Sequence, residues 1–169
     1  LVAVNEGLRT DGLAPNGSTA DPCRLTGTDA WYYLEDASGR ALARIRDGGN
    51  DLGTVSISAF DHGATPPFVD GRHVVPRSWL IETQRAPTGP VFVELYLTDA
   101  EVATTAALDP SVSTLSDLVL TKRDPGVLGD PTAGTPSLVT PTSSEATGQD
   151  ASDVLAFQAS DFSSFFAHG

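Results

Sequence analysis

The stretch Pro90-Val-Phe-Val-Glu-Leu-Tyr-Leu-Thr-Asp-Ala-Glu101 decides the fold class. Val91, Val93, Leu95 and Leu97 fall on one side of an extended chain, and Phe92, Glu94 and Tyr96 on the other. A period of two is the signature of a strand with one face turned inward. The pattern changes at Thr98. Thr98-Asp99-Ala100-Glu101 is a capping box, in which the Thr hydroxyl accepts from the Glu101 amide and Glu101 reaches back. The alanine-rich run that follows favours a short helix over residues 98–108, and Asp109-Pro110 ends it.

Period-two runs recur on both sides of this stretch. Val55, Ile57 and Ala59 alternate with Thr54, Ser56 and Ser58. Ala41, Ala43 and Ile45 alternate with Arg40, Arg44 and Arg46, with Leu42 interrupting on the outer side. Asp36-Ala-Ser-Gly39 reads as the turn of a hairpin joining residues 31–34 to 40–46. Asp47-Gly-Gly-Asn-Asp51 then leads to residues 53–61, so these three runs are expected to form a meander. Strands are also expected at 2–7, 72–75, 77–83, 117–123, 153–159 and 162–167, with Pro76 marking an edge or a bulge. Residues 8–27 read as an irregular loop. Residues 126–149, rich in Pro, Thr and Ser, read as a surface loop or a pair of weak edge strands near 137–140. The expectation is all-β: an immunoglobulin-like antiparallel β-sandwich of about nine strands with one short helix, in a single domain over 1–169.

Composition bounds the function. The chain has 169 residues, enough to bury roughly 70% of its unfolded surface without a metal or disulfide. Its formal net charge of −12 repels phosphate backbones and anionic bilayers, which argues against nucleic-acid binding and membrane docking. No apolar run reaches the ~20 residues a spanning helix needs. The sequence lacks Met even at position 1, as expected of a segment processed from a longer precursor. Cys23 is the one cysteine, so no intrachain disulfide forms, and it reads as a small core residue.

Several constellations bear on chemistry. His62, His73 and His168 lack the paired spacing of a zinc site, and no Gly-x-Ser-x-Gly elbow supports a Ser/His/Asp triad. Asp47, Asn50 and Asp51 crowd one tight loop with oxygen ligands of the kind calcium prefers, although Asp, Gly and Asn are also ordinary turn formers. Trp31, Tyr33 and Trp79 are candidates for stacking on sugar rings, or for core packing. Lys122, the one lysine, lies mid-strand, exposed or crosslinked to an Asn or Asp. Phe162, Phe165 and Phe166 crowd the last strand. Alternation puts Phe165 opposite the other two, which makes Phe165 the candidate contact residue toward a partner.

The order Trp31-Tyr-Tyr-Leu34, Ala43-Arg-Ile-Arg-Asp-Gly-Gly-Asn-Asp-Leu-Gly53, Val75-Pro-Arg-Ser-Trp-Leu-Ile81, the stretch from Val91 to Glu101, Asp117-Leu-Val-Leu-Thr-Lys122 and Phe162-Ser-Ser-Phe-Phe166 resembles β-sandwich modules near the C-terminus of large secreted Bacteroidetes proteins. In those proteins such a module precedes the sorting domain of the type IX secretion system. The resemblance implies a sandwich and an extracellular or cell-surface location, and it brings no catalytic residues with it. The expected role is a non-catalytic structural or adhesive module, self-assembling or bound to other domains of the same protein. A carbohydrate-binding module is the alternative, and a hydrolase domain the third reading.

Overall fold

The computed structural model describes residues 3–4, 17–145 and 152–169. It shows two antiparallel sheets packed face to face, an all-β sandwich. The strands are β1 (Ala3–Val4), β2 (Cys23–Leu25), β3 (Trp31–Glu35), β4 (Ala41–Arg46), β5 (Gly53–Asp61), β6 (Phe68–Val69), β7 (Arg72–Thr83), β8 (Val91–Thr98), β9 (Val119–Asp124), β10 (Thr135–Val139), β11 (Thr142–Glu145), β12 (Ser152–Ala159) and β13 (Ser164–His168). One sheet runs β1-β3-β4-β8-β12-β11, and the other β10-β9-β13-β7-β5-β2 with β6 paired to β7. The count exceeds nine because β2 forms within the expected loop, the short β6 follows Pro66-Pro67, and residues 126–149 yield two strands. The remainder of the expected first strand, residues 5–16 and residues 146–149 lie outside the described residues.

Alternation fixes the inner faces. Val91, Val93, Leu95 and Leu97 of β8 meet Val55, Ile57 and Ala59 of β5 in one buried cluster, together with Trp79, Leu120, Leu155 and Phe165. The expected three-strand meander does not form. β3 and β4 pair, but β4 continues to β8, and β5 belongs to the other sheet. The loop after Arg46 therefore crosses between layers instead of turning back within one. Leu42 also differs from expectation. Leu34 pairs with Ala43 and Glu35 with Ala41, so Leu42 is the extra residue of a bulge, which turns it into the core.

The helix α1 (Asp99–Leu108) forms as its capping box requires. Glu101 N donates to Thr98 Oγ1 at 3.3 Å, and Thr98 N donates to Glu101 Oε2 at 2.8 Å. The other carboxylate oxygen of Glu101 accepts from Nε of buried Arg77 at 3.0 Å. One glutamate thus caps the helix and ties it to β7. A 3-10 turn at Leu115–Asp117 is the one other helical element among the described residues. Pro76 sits inside the continuous strand β7 and marks a bulge there, as expected: between the pairs Phe166–Ser78 and His168–Val74, the single residue Ala167 of β13 faces Val75, Pro76 and Arg77.

Segment 135–145 closes one flank of the sandwich. β10 is the edge of one sheet and β11 the edge of the other, joined by only Thr140 and Pro141. β13 is not an edge strand: it lies between β7 and β9. Phe165 is consequently 1% exposed and packs on Phe157, with ring centroids 5.1 Å apart, so it is a core residue and not a contact surface.

Val93 lies at the centre of the inner face, paired with Ile45 and Phe157 across its two neighbouring strands. Val93→Asp buries a charge without a partner and should destabilise by several kcal/mol, about 3 or more. A thermal melt within a degree or two of the parent would show the inward face to be misassigned.

Candidate functional site

The loop proposed for calcium is a structural hub. Asp47 is 0% exposed, and its carboxylate accepts four backbone N–H bonds: Gly27 and Thr28 on Oδ2, Asp29 and Gly49 on Oδ1, at 2.7–3.2 Å. Asn50 donates to the Asp47 carbonyl at 2.6 Å, and its Oδ1 accepts from Thr88 N, Thr88 Oγ1 and Gly89 N. Asp51 accepts from Gly53 N and pairs with Arg85. The oxygens that would ligate a cation are aimed at N–H and O–H donors instead. Among the described residues, no group of three or more His, Cys, Asp or Glu side chains is arranged to hold a metal ion.

The candidate aromatic platform is also dispersed. Trp79 lies in the core and Tyr33 is buried on the outer face of the first sheet. Trp31 keeps partial exposure, but the Arg44 guanidinium lies 4.2 Å from its ring centroid. Arg44 also makes a two-pronged pair with Glu94, at 2.9 and 2.8 Å, and Tyr96 Oη donates to the same carboxylate. Burial and the Glu94 charge push the Tyr96 hydroxyl well above the usual tyrosine range. The arginine ladder on this face is thus neutralised: Arg46 pairs with Asp29, and Arg40 with Asp36.

The outer face of the second sheet is different. Cross-strand pairing aligns Phe60, Ser78, Phe166, Thr121 and Leu138 in one row across β5, β7, β13, β9 and β10. Phe166 is buried, whereas Phe60 and Leu138 are exposed, Leu138 at 66%. The loop after β9 folds back over this row. Gly129 has φ +74, and a Cβ there would fall 2.6 Å from the Phe60 ring, so glycine is needed for both space and conformation. Its neighbours Val127 and Leu128 are exposed as well. Exposed Phe60 and Leu138 thus end one outer row, and exposed Val127 and Leu128 belong to the loop that meets it at Phe60. Between the β6–β7 hairpin and β13, β9 and β10 this face sinks into a pocket of about 210 Å³ containing Arg72, Arg123, Thr121 and His168.

The remaining candidates are absorbed by packing. His62 Nε2 lies 3.0 Å from Ser78 Oγ, but Ser78 is buried, with His62 between the Phe60 and Phe166 rings. His168 Nε2 lies 2.7 Å from Thr121 Oγ1, and its Nδ1 faces the Gly169 carbonyl at 2.8 Å. His73 stacks against Phe68. Cys23 is buried, and desolvation pushes its thiol up to about 11, which leaves it unreactive near neutrality. Lys122 pairs with Asp161, itself largely exposed. The two guanidiniums of the pocket were not singled out from sequence. The signal available was their place in strands, Arg72 at the start of β7 and Arg123 near the end of β9.

Two outcomes follow. Asp47→Ala leaves four inward N–H groups without an acceptor and should cost about 3 kcal/mol or more in chemical denaturation, while millimolar calcium or chelator leaves the parent melting temperature unchanged. Burial holds His62 and His168 below the ordinary 6.5, so the folded state disfavours their charged forms. Their contribution is complete above pH 6.5 and is lost as pH falls from there through the lower folded values. Carboxylates such as Asp117, held low by the Ser113 and Thr114 amides, titrate below this window. The denaturation midpoint should drop between about pH 7.5 and 5, and His62→Gln should shallow that drop. A flat midpoint in both proteins would contradict it.

No protein-family model matches this chain, and no curated protein and no solved structure matches it either.

Proposed function

We propose that this chain is a non-catalytic structural or adhesive module of an extracellular, cell-surface protein, and that it docks neighbouring copies of itself through the outer face of the second sheet. The observation that carries this reading is an outer row that ends in exposed Phe60 and Leu138, with exposed Val127 and Leu128 in the loop that meets it at Phe60. Apolar patches of this kind mark contact surfaces more often than scattered apolar residues do. The opposite outer face is closed by Arg44–Glu94 and Arg46–Asp29 pairs. Three of the four residues lie within 126–149, the loop whose composition first suggested a contact surface. Burial of Ser78 keeps its pair with His62 out of reach of a substrate, which favours a non-catalytic role. The carbohydrate reading has lost two of its three rings to burial. Export through the type IX system accords with the sequence resemblance.

Sedimentation of the isolated chain at increasing concentration tests the reading. Weak self-association is expected, reduced by Leu138→Ser and Val127→Ser without loss of the fold, since both side chains are exposed. Strictly monomeric behaviour at the highest attainable concentration, with the variants indistinguishable from the parent, overturns it.

A further inference from the structure

We propose that a trough of about 350 Å³ on the outer face of the first sheet, lined by Trp31, Phe92, Glu94, Thr142, Ala156 and Gln158, binds a neutral glycan chain. It lies on the sheet opposite the docking face and owes nothing to self-association.

Three observations carry it. First, cross-strand pairing puts Trp31, Arg46, Phe92 and Gln158 in one row across β3, β4, β8 and β12. Trp31 and Phe92 stand two strand spacings apart, about 10 Å, which suits two linked pyranose rings. Both aromatic rings line the trough and both are partly exposed. The C–H face of a pyranose packs against the negative face of such a ring. Arg46 stands between them in the row, but it pairs with Asp29 and does not line the trough. Second, the rings are held before any ligand arrives. The Arg44 guanidinium lies 4.2 Å from the Trp31 centroid, and two bonds to Glu94 fix it there. The Arg46 guanidinium lies 5.5 Å from the Phe92 centroid. A ring backed in this way loses less freedom on binding. Third, the polar groups are those that recognise hydroxyls. Exposed Gln158 offers a donor and an acceptor, and exposed Thr142 a hydroxyl. A carboxylate has roughly four acceptor sites, and Arg44 and Tyr96 occupy three of them at Glu94, which leaves one for a ligand hydroxyl.

Charge selects the class of glycan. Among the described residues lining the trough, Glu94 is the one charged side chain, and Arg44 neutralises it. The ion pairs thus balance this face without filling it. A uronate or sulfate would meet no cation in the trough and would be repelled by the net charge of −12. A chain of neutral hexoses with equatorial linkages presents flat C–H faces to the rings and hydroxyls at its rim. Of the three rings first considered for sugar stacking, Trp31 remains, and Phe92 takes the place of buried Tyr33 and Trp79.

The chain has two tryptophans, and Trp79 is buried in the core, so ligand-induced changes in intrinsic fluorescence report on Trp31. Cellohexaose and mannohexaose are titrated into the full chain up to millimolar concentration, with the β-1,4-linked hexamer of glucuronate as the anionic counterpart. At least one neutral hexamer should shift the emission saturably, and the glucuronate hexamer should not. Calorimetry then reads the variants. Phe92→Ala should weaken binding about tenfold, the loss of one stacked ring, and Phe92→Tyr should retain it. Gln158→Ala alters an exposed side chain and should weaken binding several-fold at an unchanged melting temperature, so the test stands even if Phe92→Ala unfolds. Leu138→Ser, on the other sheet, should leave sugar affinity unchanged while it reduces self-association, so failure of the docking reading and failure of this one are told apart. No saturable change with either neutral hexamer, equal binding of the glucuronate hexamer, or unchanged affinity in Gln158→Ala and folded Phe92→Ala overturns the proposal.

Discussion

The Asp47 carboxylate and the Asn50 amide hold together the three chain crossings at one end of the sandwich. The segment from β2 to β3 passes from the second sheet to the first, and its Gly27, Thr28 and Asp29 amides donate to Asp47. The segment from β4 to β5 passes back and contains both residues. The segment from β7 to β8 crosses again, and its Thr88 and Gly89 amides donate to Asn50. Crossing loops carry backbone groups that no ladder can satisfy, and a buried unsatisfied amide is costly. Two short polar side chains supply the missing acceptors. The relative placement of the two inner faces, and hence the common core of Val55, Val93 and Trp79, depends on those bonds.

This hub explains which parts of the fold were legible. Alternation placed Val55, Ile57, Val93 and Leu95 inside, and the capping box placed α1, because each depends on residues close in sequence. Which strands share a sheet is a non-local property. A tight Asp-Gly-Gly-Asn-Asp loop looks like a hairpin turn until the amides of two distant segments are brought to it, so the expected meander became a crossing. Leu42 was misplaced for a related reason: a bulge changes which side a residue faces without changing the composition of the strand.

The candidate site was less legible. The residue types in the sequence most often tied to chemistry or contact are the acids of 47–51, the tryptophans and the terminal phenylalanines. The fold uses most of them for packing. Phe165 is buried because β13 has a neighbour on each edge and a sheet behind it, which no local pattern reveals. The cross-strand row from Phe60 to Leu138 draws on five strands, with its residues spread from position 60 to position 166. Residues 126–149, whose composition suggested a contact surface, supply the exposed Val127, Leu128 and Leu138.

The central position of β13 has a kinetic consequence. Its neighbours β7 and β9 have no other strand between them, so before residues 164–168 arrive the second sheet exists as two separate fragments with facing open edges. Pairings of this sequence separation close large loops before any contact rewards them, which places the domain among slow, highly cooperative folders. Synthesis from the amino end delivers that strand after every other described strand. Until then the second sheet lacks its join, and the sandwich closes only when β13 enters between β7 and β9.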